Sequence, residues 1–212
     1  IGTETKAKES AEANLNGTKE VLVKLLDQLA ARQQHTLANM VYIGDAFTKL
    51  AASDKARKQY ERIIERDTED KEFAPENQKG AITRVRSQLV GLLRNEGKFP
   101  DAMTQVDQLI KANPKAMEPL LEKGRILQSW AEADKDPKRY DDAVNHWTML
   151  RTTLSRLQRK PPEYYEVIYN AANCLLAQSK KTGDKPKALQ AEQLLKSARI
   201  LSPNLSGPDM VA

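Results

Sequence analysis

Apolar residues along this chain recur at intervals of three and four positions, which is the spacing of one face of an α-helix. The stretch Val21, Leu22, Leu25, Leu26 and Leu29 is one example. Ala, Leu, Lys, Glu and Gln fill long windows, and these residue types favour helix. The alternation of apolar and polar residues that is typical of strands is missing. The sequence therefore predicts an all-α fold.

The stretch from Gly97 to Pro114 shows most clearly how these helices are expected to pair. Gly97 can end one helix with a positive φ. Phe99 and Ala102 begin the apolar face of the next helix, and Asn113 and Pro114 end that helix. This order predicts two helices that are joined by a tight turn.

The spacing of small and aromatic residues resembles that of the tetratricopeptide repeat (TPR) family. In this family a small residue on the first helix is followed three positions later by an aromatic residue and twelve positions later by Ala. Gly44, Phe47 and Ala56 keep this spacing. The TPR is a helix–turn–helix unit of about 34 residues. The resemblance implies a right-handed α-solenoid of antiparallel helix hairpins, with four degenerate repeats. The alternative is a helical bundle without repeats.

Two of the predicted hairpins are longer than the first. Gly124 and Ala143 are 143 − 124 = 19 positions apart, where the first repeat has 56 − 44 = 12. Seven additional residues are close to two helical turns of about 3.6 residues each, so one turn added to each helix preserves the packing. Seven small residues are therefore expected at helix crossings: Gly44, Ala56, Ala102, Gly124, Ala143, Ala172 and Ala191.

The breaks between apolar stretches predict the domain organisation. We assign a tail or frayed helix to residues 1–17, a TPR-like domain to residues 18–203 and a C-terminal tail to residues 204–212. Within the domain, an extra helix (18–35) precedes repeats at 36–69, 78–114, 115–158 and 161–203.

Three polar pairs are expected to begin helices. Ser53-Asp54 offers an N-cap, Asp136-Pro137 offers an N-cap and a first helical residue, and Gly183-Asp184 offers a turn followed by an N-cap.

Composition and charge narrow the function classes. The chain has 212 residues, of which 40% are hydrophobic and 30% charged, so it can bury a substantial core. No apolar run approaches the roughly 20 residues that span a bilayer, so we expect no membrane insertion. The sequence begins at Ile1 rather than Met, which suggests a processed chain or an excised fragment and leaves the cellular compartment open.

The sequence offers little enzymatic chemistry. His35 and His146 are the two histidines, and neither lies near Cys, Asp or Glu at a metal-binding spacing. Cys174 stands alone in an apolar run and is expected to be a buried, inert thiol. Phosphate-binding loops and nucleophile elbows are missing. We therefore expect no catalytic residues, no metal and no cofactor.

The resemblance implies that function lies on a concave surface built mainly from the first helix of each repeat. There we expect a protein or peptide partner, bound as a peptide or as a helix. The family's groove positions map onto Asp45, Lys49, Arg84, Ser87, Arg94, Asn95, Glu118, Arg125, Gln128, Glu166, Tyr169 and Asn173, and also onto Val41 and Leu121.

The three arginines of this set could recognise carboxylates, because a guanidinium presents paired donors. The alternative is that they are solvated helix residues. Some TPR proteins hold a peptide's terminal carboxylate with Lys and Asn at two groove positions. Val41 and Asp45 occupy those positions here, so that clamp is not expected.

Nucleic-acid binding is the alternative function, because the net charge is +5. The densest basic run contains Arg151, Arg156, Arg159 and Lys160 but has no Phe or Tyr interleaved for base stacking. A solvated outer helix explains this run more simply.

At the C-terminal edge, Leu189 and Ile200 fall opposite the predicted packing face of the last helix. We expect them to be covered by tail residues Leu205, Met210 and Val211, by self-association with another copy, or by a further domain.

Overall fold

The computed structural model describes residues 2–32, 35–134 and 136–201. These residues form nine α-helices and one short 3-10 helix, with no strand among them, which confirms the predicted all-α fold. The helices are α1 (Gly2–Ala30), α2 (Leu37–Lys49), α3 (Ser53–Glu69), α4 (Lys79–Asn95), α5 (Phe99–Ala112), α6 (Met117–Ala133), α7 (Arg139–Ser155), α8 (Pro162–Thr182) and α9 (Lys185–Leu201). The chain divides into two compact units, residues 1–92 and 93–212, with the boundary inside α4.

The first unit is built around the antiparallel hairpin of α2 and α3. Its turn contains Ala51, which has a positive φ of 58°. α1 packs against α2, and its C-terminal end is held by an ion pair between Lys55 and Asp27. This helix begins at Gly2, upstream of the apolar pattern that starts near Thr18.

In the second unit each helix from α5 to α9 packs against the next, and α6 also contacts α8. Phe99 of α5 stacks on Trp130 of α6, with ring centroids 5.8 Å apart. Trp147 of α7 is completely buried at the centre of this core. Gly97 has a φ of +73°, which confirms that it ends α4 in the left-handed region.

All seven small residues that were expected at helix crossings are buried, as that prediction requires. At two crossings the approach is so close that only glycine fits. A Cβ atom on Gly44 would lie 2.4 Å from Cε1 of Tyr60, and a Cβ atom on Gly124 would lie 2.5 Å from Cη2 of Trp147. Side chains do not reach such distances, so both rings require a bare backbone opposite them.

Two of the three predicted N-caps are wrong. Ser53 lies inside α3, whose N-cap is Ala52, because the Ala52 carbonyl already accepts from the N–H groups of Lys55 and Ala56. Asp136 accepts from the N–H of Lys138 at 2.9 Å. This local turn competes with a helix cap, and α7 begins only at Arg139.

The third N-cap prediction is confirmed. Gly183 ends α8 with a φ of +74°, and Oδ1 of Asp184 accepts from the N–H of Lys187 at 3.4 Å. Leu189 and Ile200 of α9 are 56% and 84% exposed. Pro203 and the tail residues 204–212, which include Leu205, Met210 and Val211, lie outside the described residues, so the cover proposed for this edge stays a prediction.

Candidate binding surface on the first helices

The twelve predicted site residues all lie on α2, α4, α6 and α8, the first helices of the predicted repeats. The structure brings six of them into two ion-paired sets, one in each unit. Asp45 and Arg84 form the first set. Arg94, Arg125, Glu118 and Glu166 form the second, together with Glu122, which was not among the predicted residues.

In the first unit, Asp45 joins α2 to both α3 and α4. Its Oδ2 atom accepts from Nη2 of Arg84 at 3.0 Å, and its Oδ1 atom accepts from the hydroxyl of Tyr60 at 2.7 Å. Burial, with the nearby Asp45 carboxylate, raises the pKa of Tyr60 to about 12. The hydroxyl therefore stays protonated and holds Asp45 in place for Arg84.

An open cleft of about 420 Å³ lies beside this pair, between α2 and the start of α4. This volume falls within the range of roughly 300–1,000 Å³ that is usual for ligand sites. Tyr42 stands at the cleft with 70% of its surface exposed. The other lining residues are Leu37, Ala38, Val41, Asp45, Gln78, Ala81 and Arg84.

In the second unit, Arg125 uses all three of its nitrogen atoms on carboxylates. Nη1 donates to Glu118 at 2.8 Å and to Glu122 at 3.1 Å, while Nη2 and Nε donate to Glu166 at 2.6 and 3.1 Å. Burial lowers the pKa of Arg125, but the three carboxylates outweigh it and raise this pKa above its ordinary value. Four of the five N–H groups of this guanidinium are therefore already bound within the protein.

Arg94 extends the same network from the end of α4. Its Nε atom donates to Glu122 at 2.8 Å, and both side chains are largely buried. The network thus contains two arginines and three glutamates, so it carries a net charge of 2 − 3 = −1. A negatively charged partner gains no attraction from it.

The remaining predicted site residues lie outside both sets. Ser87 donates to the Thr83 carbonyl of its own helix, and Gln128 donates to Glu132. The other four are Lys49 and Asn95, which are exposed, and Tyr169 and Asn173, which are half-buried.

The two apolar residues of the predicted groove are buried. Leu121 is 2% exposed and belongs to the core around Trp147, so its assignment to the groove is wrong. Val41 is 6% exposed and lies at the base of the α2–α4 cleft. Tyr42 was not among the predicted residues, although the sequence shows it as an aromatic residue between the apolar residues Val41 and Ile43.

The two ion pairs occupy the same register with opposite charges. Asp45 and Arg125 each follow the glycine of a helix crossing by one residue. On the next first helix, Val90 and Ala172 stand in the place of this glycine. The two partners, Arg84 and Glu166, lie six residues before them. Charge reversal at these two spacings is the signal by which a sequence comparison between repeats could find both pairs.

The other residues that were considered for chemistry, where the structure describes them, have structural roles. Burial raises the pKa of the Cys174 thiol to about 12. Lys160 of the basic run donates to the Ser155 and Leu157 carbonyls at the end of α7. Among the described residues, no group of three or more His, Cys, Asp or Glu side chains could hold a metal ion. None of the described helices has the length and hydropathy that crossing a membrane requires.

Similarity to solved structures, and not similarity of sequence, identifies the fold of this chain. No protein-family model matches the chain, and no curated protein matches it. Nearly identical TPR-like repeats from Podosopora anserina superpose with a TM-score of 0.61 at 15% identity, over 96% of each chain. MamA MSR-1 C2 superposes with a TM-score of 0.54 at 17% identity, over 92% of this chain and 95% of the MamA chain. BtubC from P. vanneervenii superposes with a TM-score of 0.50 at 13% identity, over 90% of this chain and 76% of the BtubC chain. The predicted TPR-like α-solenoid fold is confirmed.

Proposed function

We propose that this chain is a non-enzymatic protein-interaction scaffold that binds a peptide or a partner helix on the surface of its first helices. The observation on which this proposal rests is the α2–α4 cleft, because it is open, largely apolar and bordered by two predicted site residues, Asp45 and Arg84. Peptide-binding grooves of this kind combine apolar pockets with a few polar groups that set orientation.

The TPR-like fold supports the proposal, since stacked helical hairpins present extended binding surfaces. The exposure of Tyr42 supports it as well. Tyrosine is enriched among the residues that contribute most to the affinity of protein interfaces, because it offers a large rigid contact area with a polar tip.

An unbiased peptide selection tests this function. Phage-displayed random peptides would be selected on the intact chain, and their affinities measured by isothermal titration calorimetry. We expect Ala81→Trp, which places a large side chain in the cleft, to abolish binding of most selected peptides. Ala38→Trp provides a second block at an exposed cleft position, and Lys58→Trp on the exposed face of α3 is the matched control.

Thermal unfolding of each variant separates a blocked cleft from a misfolded chain. Selected peptides that bind both blocked variants as tightly as the wild type would contradict the proposed site. Tight binding of generic RNA that weakens steeply with salt, in place of peptide binding, would instead support the nucleic-acid alternative.

A further inference from the structure

We infer that the α2–α4 cleft selects a peptide segment in which a large apolar side chain lies next to a carboxylate. This inference rests on the proposed function and specifies its partner. The cleft supplies the two parts of such recognition side by side, an apolar hollow and a guanidinium with donors to spare.

The apolar part is formed by Leu37 and Val41 at the base, Ala81 on the α4 side and Tyr42 at the rim. Leu37 and Val41 are 3% and 6% exposed, so their surfaces are fixed by the core and need no ordering when a ligand binds. Burying an aliphatic or aromatic side chain against preformed apolar walls gains free energy without that entropic cost. A Leu, Ile, Met or Phe side chain fits this hollow.

The charged part is Arg84, whose side chain is 55% exposed. Within the described residues, Asp45 is the one acceptor that Arg84 bonds, and it uses Nη2 alone. Both oxygens of Asp45 are engaged, one by Arg84 and one by Tyr60, so Asp45 repels an incoming anion less than a free carboxylate would. Asp45 uses one of the two N–H groups of Nη2. The other Nη2 N–H and its neighbour, Nε or Nη1, therefore remain for a ligand carboxylate, which a guanidinium binds through paired hydrogen bonds.

The second unit offers a contrast on the same type of surface. Arg125 donates from every nitrogen to a glutamate of this chain, so a ligand carboxylate that binds through two hydrogen bonds would have to displace one of them. Its network is also net negative. Selection for an acidic residue is therefore assigned to Arg84 and not to Arg125.

The test uses the intact chain with synthetic fluorescein-labelled peptides. Each peptide carries a central Leu or Ala followed by Glu, Gln or Lys, in an otherwise identical neutral sequence. Fluorescence polarisation would be measured for the wild type, for Arg84→Gln and for the control Lys58→Gln, a charge removal on the exposed face of α3.

We expect the Leu-Glu peptide to bind most tightly. Replacing its Glu by Gln should weaken binding to the wild type by about threefold to tenfold, as for a solvent-accessible but bidentate ion pair. The same replacement should change binding to Arg84→Gln by less than about twofold, because the coupled partner is then gone. Lys58→Gln should behave as the wild type.

Three outcomes would overturn the inference and leave the proposed function standing. The first is a preference for Lys over Glu, and the second is an equal effect of the Glu-to-Gln change on wild type and Arg84→Gln. The third is that no member of this set binds, while library-selected peptides bind and are blocked by Ala81→Trp. Failure of both the designed and the selected peptides to bind would contradict the proposed function itself.

Discussion

The hairpins α2–α3 and α6–α7 solve the same packing problem with different side chains. In each, a glycine of the first helix lies against an aromatic ring of the second, Gly44 against Tyr60 and Gly124 against Trp147. The two partners are 16 residues apart in the first hairpin and 23 in the second, a difference of seven. Of these seven additional residues, four lie in α6, two in the connection and one at the start of α7, so the predicted additional turn in the second helix is wrong for this hairpin. The comparison shows that one turn of helix and a longer connection can be added to a hairpin without changing the contact that sets its crossing.

A hydrogen bond recurs in the same register. Gln59, one residue before Tyr60, donates from Nε2 to the Met40 carbonyl at 3.2 Å. His146, one residue before Trp147, places Nε2 2.8 Å from the Leu120 carbonyl. Met40 and Leu120 each lie four residues before the glycine of the crossing. The role is the same in both hairpins, but only the histidine can titrate.

The surfaces of the two hairpins diverge although their crossings agree. The residue after the glycine is Asp45 in one and Arg125 in the other, and each pairs with an opposite charge on the next first helix. Close packing restricts the crossing to glycine. A partly exposed ion pair, in contrast, can form with the acidic residue on either of the two helices. The binding chemistry of a repeat can therefore change while its packing stays fixed.

The largest effect is expected when the glycines of the two crossings are replaced. Gly44→Ala and Gly124→Ala each force a methyl group onto a fully buried ring, so the free energy of unfolding should fall by about 1–3 kcal/mol. Gly91→Ala in α4 is the control. No described atom lies within 4 Å of its new Cβ, and the better helix propensity of Ala should stabilise the helix by about 0.5–1 kcal/mol.

Chemical denaturation of the three variants measures these changes. Equal destabilisation by all three would show that the ring contact does not determine the result. A neutral Gly124→Ala would contradict the equivalence of the two crossings.

A smaller effect should separate the two ion-paired sets. Arg125→Gln removes the described cation of Glu118 and Glu166 and leaves Glu122 with Arg94 alone. It should therefore lower the free energy of unfolding by about 1–2 kcal/mol for this partly buried site. Arg84→Gln removes a single, more exposed pair and should cost less than about 1 kcal/mol.

Urea unfolding at low and high salt checks this order. Added salt screens the repulsion among the glutamates, so it should reduce the deficit of Arg125→Gln. A larger loss for Arg84→Gln than for Arg125→Gln would be inconsistent with the described difference between the two sets.

The smallest expected effect concerns pH. Burial lowers the pKa of His146, and its hydrogen bond to Leu120 opposes this only in part. The unfolded chain therefore binds a proton more readily than the folded one. Stability should fall as the pH drops through the ordinary histidine value of about 6.5, by at most about 1.4 kcal/mol per pH unit from this group.

His146→Gln copies the residue that the first hairpin uses at the same position. It should keep the hydrogen bond to Leu120, match the wild type near pH 8 and lose this part of the pH dependence. Thermal unfolding at several pH values between about 5 and 8 follows the change. An unaltered pH profile in the variant would assign the titration to another group.

The sequence predicts those features that depend on spacing along one chain. Gly124 and Ala143 are recognisable because the number of residues between them keeps two helices in register. Asp136 is harder to place, since a local turn and a helix cap differ little in energy and use the same side chain. The glutamates around Arg125 come from two helices, and their convergence depends on how α6 meets α8. Spacing alone could not show that Arg125 makes four hydrogen bonds to glutamates of this chain while Arg84 makes one to Asp45.

The most direct test of this account compares blocks on the two surfaces with one library-selected peptide. Ala81→Trp fills the α2–α4 cleft, and Gln128→Trp places the same side chain on α6 of the second unit. Calorimetry should show that Ala81→Trp weakens binding by about tenfold or more, as for a central contact of an interface, and that Gln128→Trp leaves it unchanged. Retained binding to Ala81→Trp together with lost binding to Gln128→Trp would contradict the account.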